Sequence, residues 1–124
     1  MGKVLTSHKT SGINDALLIN VLDEPGEGSA CHEYQILKWL KNEDDVELCN
    51  IQFQNGPIGE TGVNGVSNEA LLAIVADRLK GFQSGPYACR ENALALTKIQ
   101  EAMMWLHERT RDRVARGVEG TNTV

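Results

Sequence analysis

The chain has 124 residues, 41% of them hydrophobic, enough for one domain with a modest core. A net charge of -5 argues against a general nucleic-acid binder, which carries a basic surplus. The longest apolar run, Ala70–Ala76, is far too short to cross a bilayer, and Met1–Thr10 has no signal-peptide core, so the expected place is the cytosol.

Met1–Thr10 carries no pattern. Leu17–Leu22, LLINVL, has strand length, and the turn Asp23-Glu24-Pro25-Gly26 follows it. Ala30–Leu40 alternates, with Tyr34, Ile36 and Leu40 on one face and Cys31, Leu37 and Trp39 on the other. Val46–Phe53 is a third strand of mixed alternation, closed by Asn55-Gly56. Three sequential strands with short turns predict an antiparallel meander. Acidic residues crowd the stretch from Asp23 to Glu60. Cys31, Cys49 and Cys89 have neither a disulfide count nor a metal spacing, and read as small buried hydrophobes.

Glycine then recurs at every third position, 56, 59, 62 and 65, too briefly for a collagen helix. The reading is a loop whose backbone approaches a neighbour or a ligand closely. Ser67 caps a helix over Asn68–Lys80, with Leu71, Ile74, Val75 and Leu79 inward and Gly81 as its stop. Phe82 falls in the bend. A second helix runs from about Pro86 to Arg116, stopped by Gly117, about thirty residues and roughly 45 Å long. Cys89, Leu96, Ile99, Met103 and Leu106 form its apolar stripe, and Asn92 is the polar residue set into it. Its last turns carry Arg109, Arg111, Arg113 and Arg116, at the negative end of the helix dipole. The fold class is α+β in a single domain. Residues 1–66 form the β-region and glycine loop, 67–117 an antiparallel helical hairpin, and 118–124 a tail.

The first helix is the shorter, so much of the second needs another cover, the sheet or a second copy. The expectation is a homo-oligomer built on the long helices. Catalytic machinery is missing: His8, His32 and His107 sit in no metal or nucleophile motif, and no nucleotide-type glycine loop occurs. The reading is a binding protein without a cofactor. Phe82 is either a plug at the hairpin mouth or a stacking surface for a base. Arg109 and Arg113 are either a solvated helix end, paired with Glu108 or Asp112, or phosphate-binding groups. Within one hairpin the bend and the far helix end lie roughly 35 Å apart. Between two antiparallel copies they meet, which gives a site split across subunits.

The runs GVNGVSNEALLAIVADRL and GPYACRENALALTKIQEAMMWLHERTRDRVARGVEGT resemble the phage Thoeris anti-defence family, whose helical hairpin is shared with phage anti-CBASS sponges. Upstream, VLDEPGEGSACHEYQI is similar to the small β-region of the Thoeris-type members. The resemblance implies a sponge that binds, without cleaving, the cyclic ADP-ribose isomers (gcADPR) made by Thoeris TIR proteins. It implies an adenine held between Phe82 and Arg109 at a subunit interface, with Asn92 hydrogen-bonding, Arg113 on phosphate, and backbone contacts from Asn64 and Gly65. It further implies dimers and, in several relatives, hexamers with separate pockets for cyclic di- or trinucleotides. The alternatives are a sponge for cyclic oligonucleotides, a helical module for a protein partner, and nucleic-acid binding through the arginine-rich end. Overall acidity and the interspersed Glu108 and Asp112 disfavour the last.

Overall fold

The computed structural model describes residues 3–124 and divides them into two compact units. One comprises the chain up to Gly56 together with Thr61–Gly65; the other comprises Pro57–Glu60 and Val66–Val124.

The first unit is an antiparallel meander of β1 (Val4–Leu5), β2 (Leu17–Val21), β3 (Glu33–Lys38) and β4 (Val46–Gln52), in that order across the sheet. It has four strands where the sequence predicts three. The addition is two residues long, too short to carry a period, and pairs Val4 with Asn20 and Leu5 with Ile19. Val21 opposes Tyr34, Tyr34 opposes Ile51, and Val21 is only 2% exposed. The Tyr34 ring meets Phe53 edge-on at 5.6 Å, and burial pushes its phenol up from the ordinary tyrosine value. The irregular alternation of VELCNIQF has a cause. Ile36 faces Cys49 but Leu37 faces Glu47, so Leu48 is an extra residue in a β-bulge.

Turn chemistry closes this sheet. The Asp23 carboxylate accepts the backbone N–H of His32 at 2.8 Å and of Glu33 at 3.2 Å, fixing the entry to β3. The His32 donor above all holds the Asp23 carboxyl below its ordinary value. After β4 the glycine loop folds back. Asn64 donates its side-chain N–H to the Asn55 carbonyl at 2.7 Å and accepts the Asn55 N–H at 2.8 Å. Gly65 lies so near β4 that a Cβ there would fall 2.6 Å from the Gln52 carbonyl oxygen, and closer to Phe53. The expected close approach is therefore real, and its neighbour is the protein's own strand.

The second unit holds α1 (Ile58–Thr61), α2 (Asn68–Gln83) and α3 (Arg90–Ala115). Ser67 caps α2, its Oγ accepting the Ala70 N–H at 3.1 Å. The helix continues through Gly81, three residues beyond the predicted Lys80, which places Phe82 in its last turn and not in the bend. Glycine inside a helix costs about 1 kcal/mol against alanine; ring contacts made by Phe82 offset this. The second helix starts at Arg90, four residues later than Pro86 predicts, because Gly85–Ala88 form a turn closed by the Ala88 N–H on the Gly85 carbonyl. Its cap is the Cys89 thiol, whose Sγ accepts the Asn92 N–H at 3.4 Å. Thiols are outside the preferred cap set, so Pro86 is the stronger start signal in the sequence.

Along α3, Asn92, Leu96, Ile99, Met103, Leu106, Thr110 and Arg113 are half-buried or buried, at alternating steps of four and three. The predicted stripe survives, without Cys89 and with two residues added. On α2 the covered residues include Leu72, Ala76 and Leu79, with Ala76 at 5%. Ile74 and Val75 point outward instead of inward, and Ile74 is 65% exposed. The helix is apolar over more than one face, and the small Ala76 selects which face approaches α3. The cysteines also depart from expectation: Cys49 and Cys89 are exposed and Cys31 is half-buried. Among the described residues no helix is long and apolar enough to cross a membrane.

Candidate functional site

The two ends of the hairpin are built differently. At the bend, Gln83 accepts the Cys89 N–H at 3.0 Å and ties the end of α2 to the start of α3. Phe82 is half-buried there. Its ring meets Tyr87 edge-on at 6.1 Å, and the Arg78 guanidinium lies over it at 4.9 Å from the centroid. Asn92, in the first turn of α3, is half-buried on the seam, and its side-chain amide has no hydrogen-bond partner among the described residues. Phe82 and Asn92 thus belong to one end of the hairpin.

The far end carries four guanidinium groups. Arg111 pairs with Glu108 at 2.6 Å and Arg116 with Asp112 at 3.0 Å. Arg113, 7% exposed, donates to Glu119 at 2.9 Å and to the carbonyls of Thr123, Val118 and Thr121 at 2.6, 3.0 and 3.0 Å. Those four partners all belong to the segment after α3, so Arg113 anchors the tail. The turn leading there is set by Gly117 at φ 74°, with the Val118 N–H on the Arg113 carbonyl and the Gly117 N–H on the Val114 carbonyl. Gly120 then accepts the Gly59 N–H at 3.0 Å. Arg109 is exposed and has no ion-pair or hydrogen-bond partner among the described residues. Glu108 and Asp112, the carboxylates that sequence reading offered to Arg109 and Arg113, are taken by Arg111 and Arg116.

Of the residues singled out from the sequence, Phe82 and Asn92 therefore lie at the bend end of the hairpin, and Arg109 and Arg113 share the opposite end. Between Arg90 and Arg109 the helix rises roughly 28 Å, so one chain does not bring the ring to the free guanidinium. Asn64 and Gly65 lie in the other unit, occupied with Asn55 and β4 as described. Sequence reading missed Arg78 and Tyr87. The signal for Arg78 was present, since it sits four residues before Phe82 and one helical turn away; taking Phe82 as a bend residue concealed it.

Each unit also has a concave surface. In the second, a groove of about 570 Å³ between α2 and α3 is lined by Ala73, Ala76 and Lys80 on one side and by Met103, His107 and Arg111 on the other. In the first, a hollow of about 340 Å³ is lined by Asp23, His32, Glu33, Gln52, Phe53, Asn55 and Asn64. No cluster of three or more His, Cys, Asp or Glu suited to a metal occurs among the described residues.

Two comparisons bear on this geometry. Residues 45–111, just over half of the chain, match the model of the Acb2/Tad1 hairpin domain. The match covers β4, both long helices up to Arg111, and hence Phe82, Asn92 and Arg109, but stops short of Arg113. The chain is also 54% identical over 76 residues to a protein named Thoeris anti-defense 1, from Bacillus phage SBSphiJ7. That alignment covers 61% of this chain and 54% of the relative, so the chain spans about half the length of the curated relative. With the hairpin in place and its model matched across more than half of the sequence, the chain belongs to the Acb2/Tad1 hairpin-domain family.

Proposed function

We propose that this protein is a phage anti-defence sponge, acting in the cytoplasm of the infected bacterium, that binds cyclic ADP-ribose isomers of the gcADPR type and holds them without cleavage. The observation that carries the reading is a half-buried aromatic ring at one end of the hairpin and, at the other, the one arginine of four without a partner among the described residues. An adenine stacks on a ring, and a guanidinium both covers its second face and meets a phosphate. Asn92 brings an unengaged amide to the same end as the ring. The resemblance of the chain to a phage protein named for anti-Thoeris activity supports the same reading.

The two groups join only between copies. In an antiparallel pair of long helices, the arginine end of one chain lies beside the bend of the other, so the working form is a homodimer or a higher assembly such as a hexamer. Holding a signal at nanomolar concentration requires roughly -12 kcal/mol, which an enclosed interface pocket provides and an exposed helix end does not. Phe82→Ala and Arg109→Ala should each lose about 1–3 kcal/mol of gcADPR binding, the range for a base stack, with the assembly unchanged by sedimentation. Wild-type affinity from both variants in calorimetry would remove the proposal. Ligand released by heating should return with unchanged mass; an altered mass would mean catalysis.

A second reading, a module for a protein partner, draws on the exposed Ile74, Met104 and Trp105 of the helices. It predicts that no cyclic nucleotide, whether gcADPR or a cyclic di- or trinucleotide, raises the melting temperature. Tight binding to the folded state raises it by mass action.

A further inference from the structure

We infer that Arg78 is a positioning residue for the ligand ring stack, acting through Phe82 and not by its own contact with ligand. The inference rests on the reading of Phe82 as the stacking ring and adds what holds that ring. Arg78 and Phe82 are four apart on α2, so their side chains share one face of the helix. The guanidinium carbon lies over the ring at 4.9 Å from its centroid, and the Tyr87 ring meets the same side chain at an interplanar angle of 74°. One ring face is therefore covered by a cation from its own helix, so a base stacks on a face that the guanidinium does not occupy.

This cover has a physical use. A phenyl group at the end of a helix exchanges between its allowed χ1 rotamers unless neighbours hold one, and stacking a base on it then costs the entropy of arresting it. The planar guanidinium restricts the ring before any ligand arrives. No carboxylate among the described residues pairs with Arg78, so nothing draws it away. Its own reach is limited to the covered face, with the thickness of the ring between it and the base.

The test is a double-mutant cycle on gcADPR affinity by calorimetry, made in the wild type and in Phe82→Leu, which keeps apolar volume and removes the π-face. Arg78→Ala should weaken binding roughly fivefold in the wild type, the scale of one exposed cation–π contact, and less than about 1.5-fold in Phe82→Leu, because a residue acting through the ring loses its effect with the ring. Arg78→Lys should recover part of the loss. Should Arg78→Ala reduce folding, Arg78→Gln keeps the stem and replaces it in the cycle. Equal losses in both backgrounds, or no loss in the wild type, would overturn the inference. Those outcomes leave the ring stack itself standing, which fails separately if Phe82→Ala binds like the wild type.

Discussion

The two ends of the long hairpin carry the same kind of group and treat it in opposite ways. At the bend, a guanidinium, Arg78, is laid on an aromatic ring with no carboxylate partner, and Asn92 keeps an unengaged amide on the seam. At the far end, three guanidinium groups are tied to Glu108, Asp112 and Glu119, and Arg109 alone stays unpaired among the described residues. Arg109 and Arg113 are one turn apart on one helix, yet the first is exposed and the second is among the few buried residues of the protein. The difference teaches that chemical type does not assign a role. Arg113 has a partner for its Nε and for both terminal nitrogens and so organises the tail, whereas Arg109 has no partner among the described residues.

The largest effect that would break this comparison is complementation between chains. If ring and guanidinium come from different copies, Phe82→Ala and Arg109→Ala proteins should each bind gcADPR poorly, while a co-refolded equimolar mixture recovers wild-type affinity at about a quarter of the sites, the statistical share for a two-fold dimer. Calorimetric stoichiometry reads this directly. A mixture as weak as its components would place both groups in one chain's site or in none.

A smaller effect sharpens the contrast between the two arginines. Arg113→Ala should lower stability by about 2–3 kcal/mol, because it removes charge-assisted hydrogen bonds and frees the tail. Arg109→Ala should stay within about 0.5 kcal/mol of the wild type, as surface changes generally do. Thermal unfolding of both variants decides it. Equal melting temperatures would mean that the tail contacts contribute nothing to stability.

The smallest effect concerns the bend. Gly81 lies inside α2 and has nothing within 4 Å of an added Cβ. Gly81→Ala should therefore stabilise by about 0.4–1 kcal/mol, through the unfolded chain, without moving Phe82. A destabilised variant would show that the helix end has to yield during folding or assembly.

Much of this architecture was legible in the residues. The Ser67 cap, the Gly117 stop, the α3 seam and the meander of β2, β3 and β4 follow from periodicity and local chemistry, which act over a few residues. The differences fall where a neighbouring group outweighs the usual propensity rule. Gly81 is a stop by propensity, yet α2 runs through it to Gln83, where Arg78 packs on Phe82. Pro86 suits a first helical position, yet α3 begins at Arg90 behind the Cys89 cap.

The α+β class, the antiparallel hairpin and the polar–apolar seam of α3 are written in the residue order, because they depend on side-chain type and on a spacing of three or four. Three-dimensional packing alone fixes that Ala76 and not Ile74 faces α3, that Gly65 serves β4, and that Arg113 holds the tail while Arg109 has no partner among the described residues. Each of these depends on which groups the folded chain brings within hydrogen-bond or van der Waals reach, and a linear order does not encode those distances.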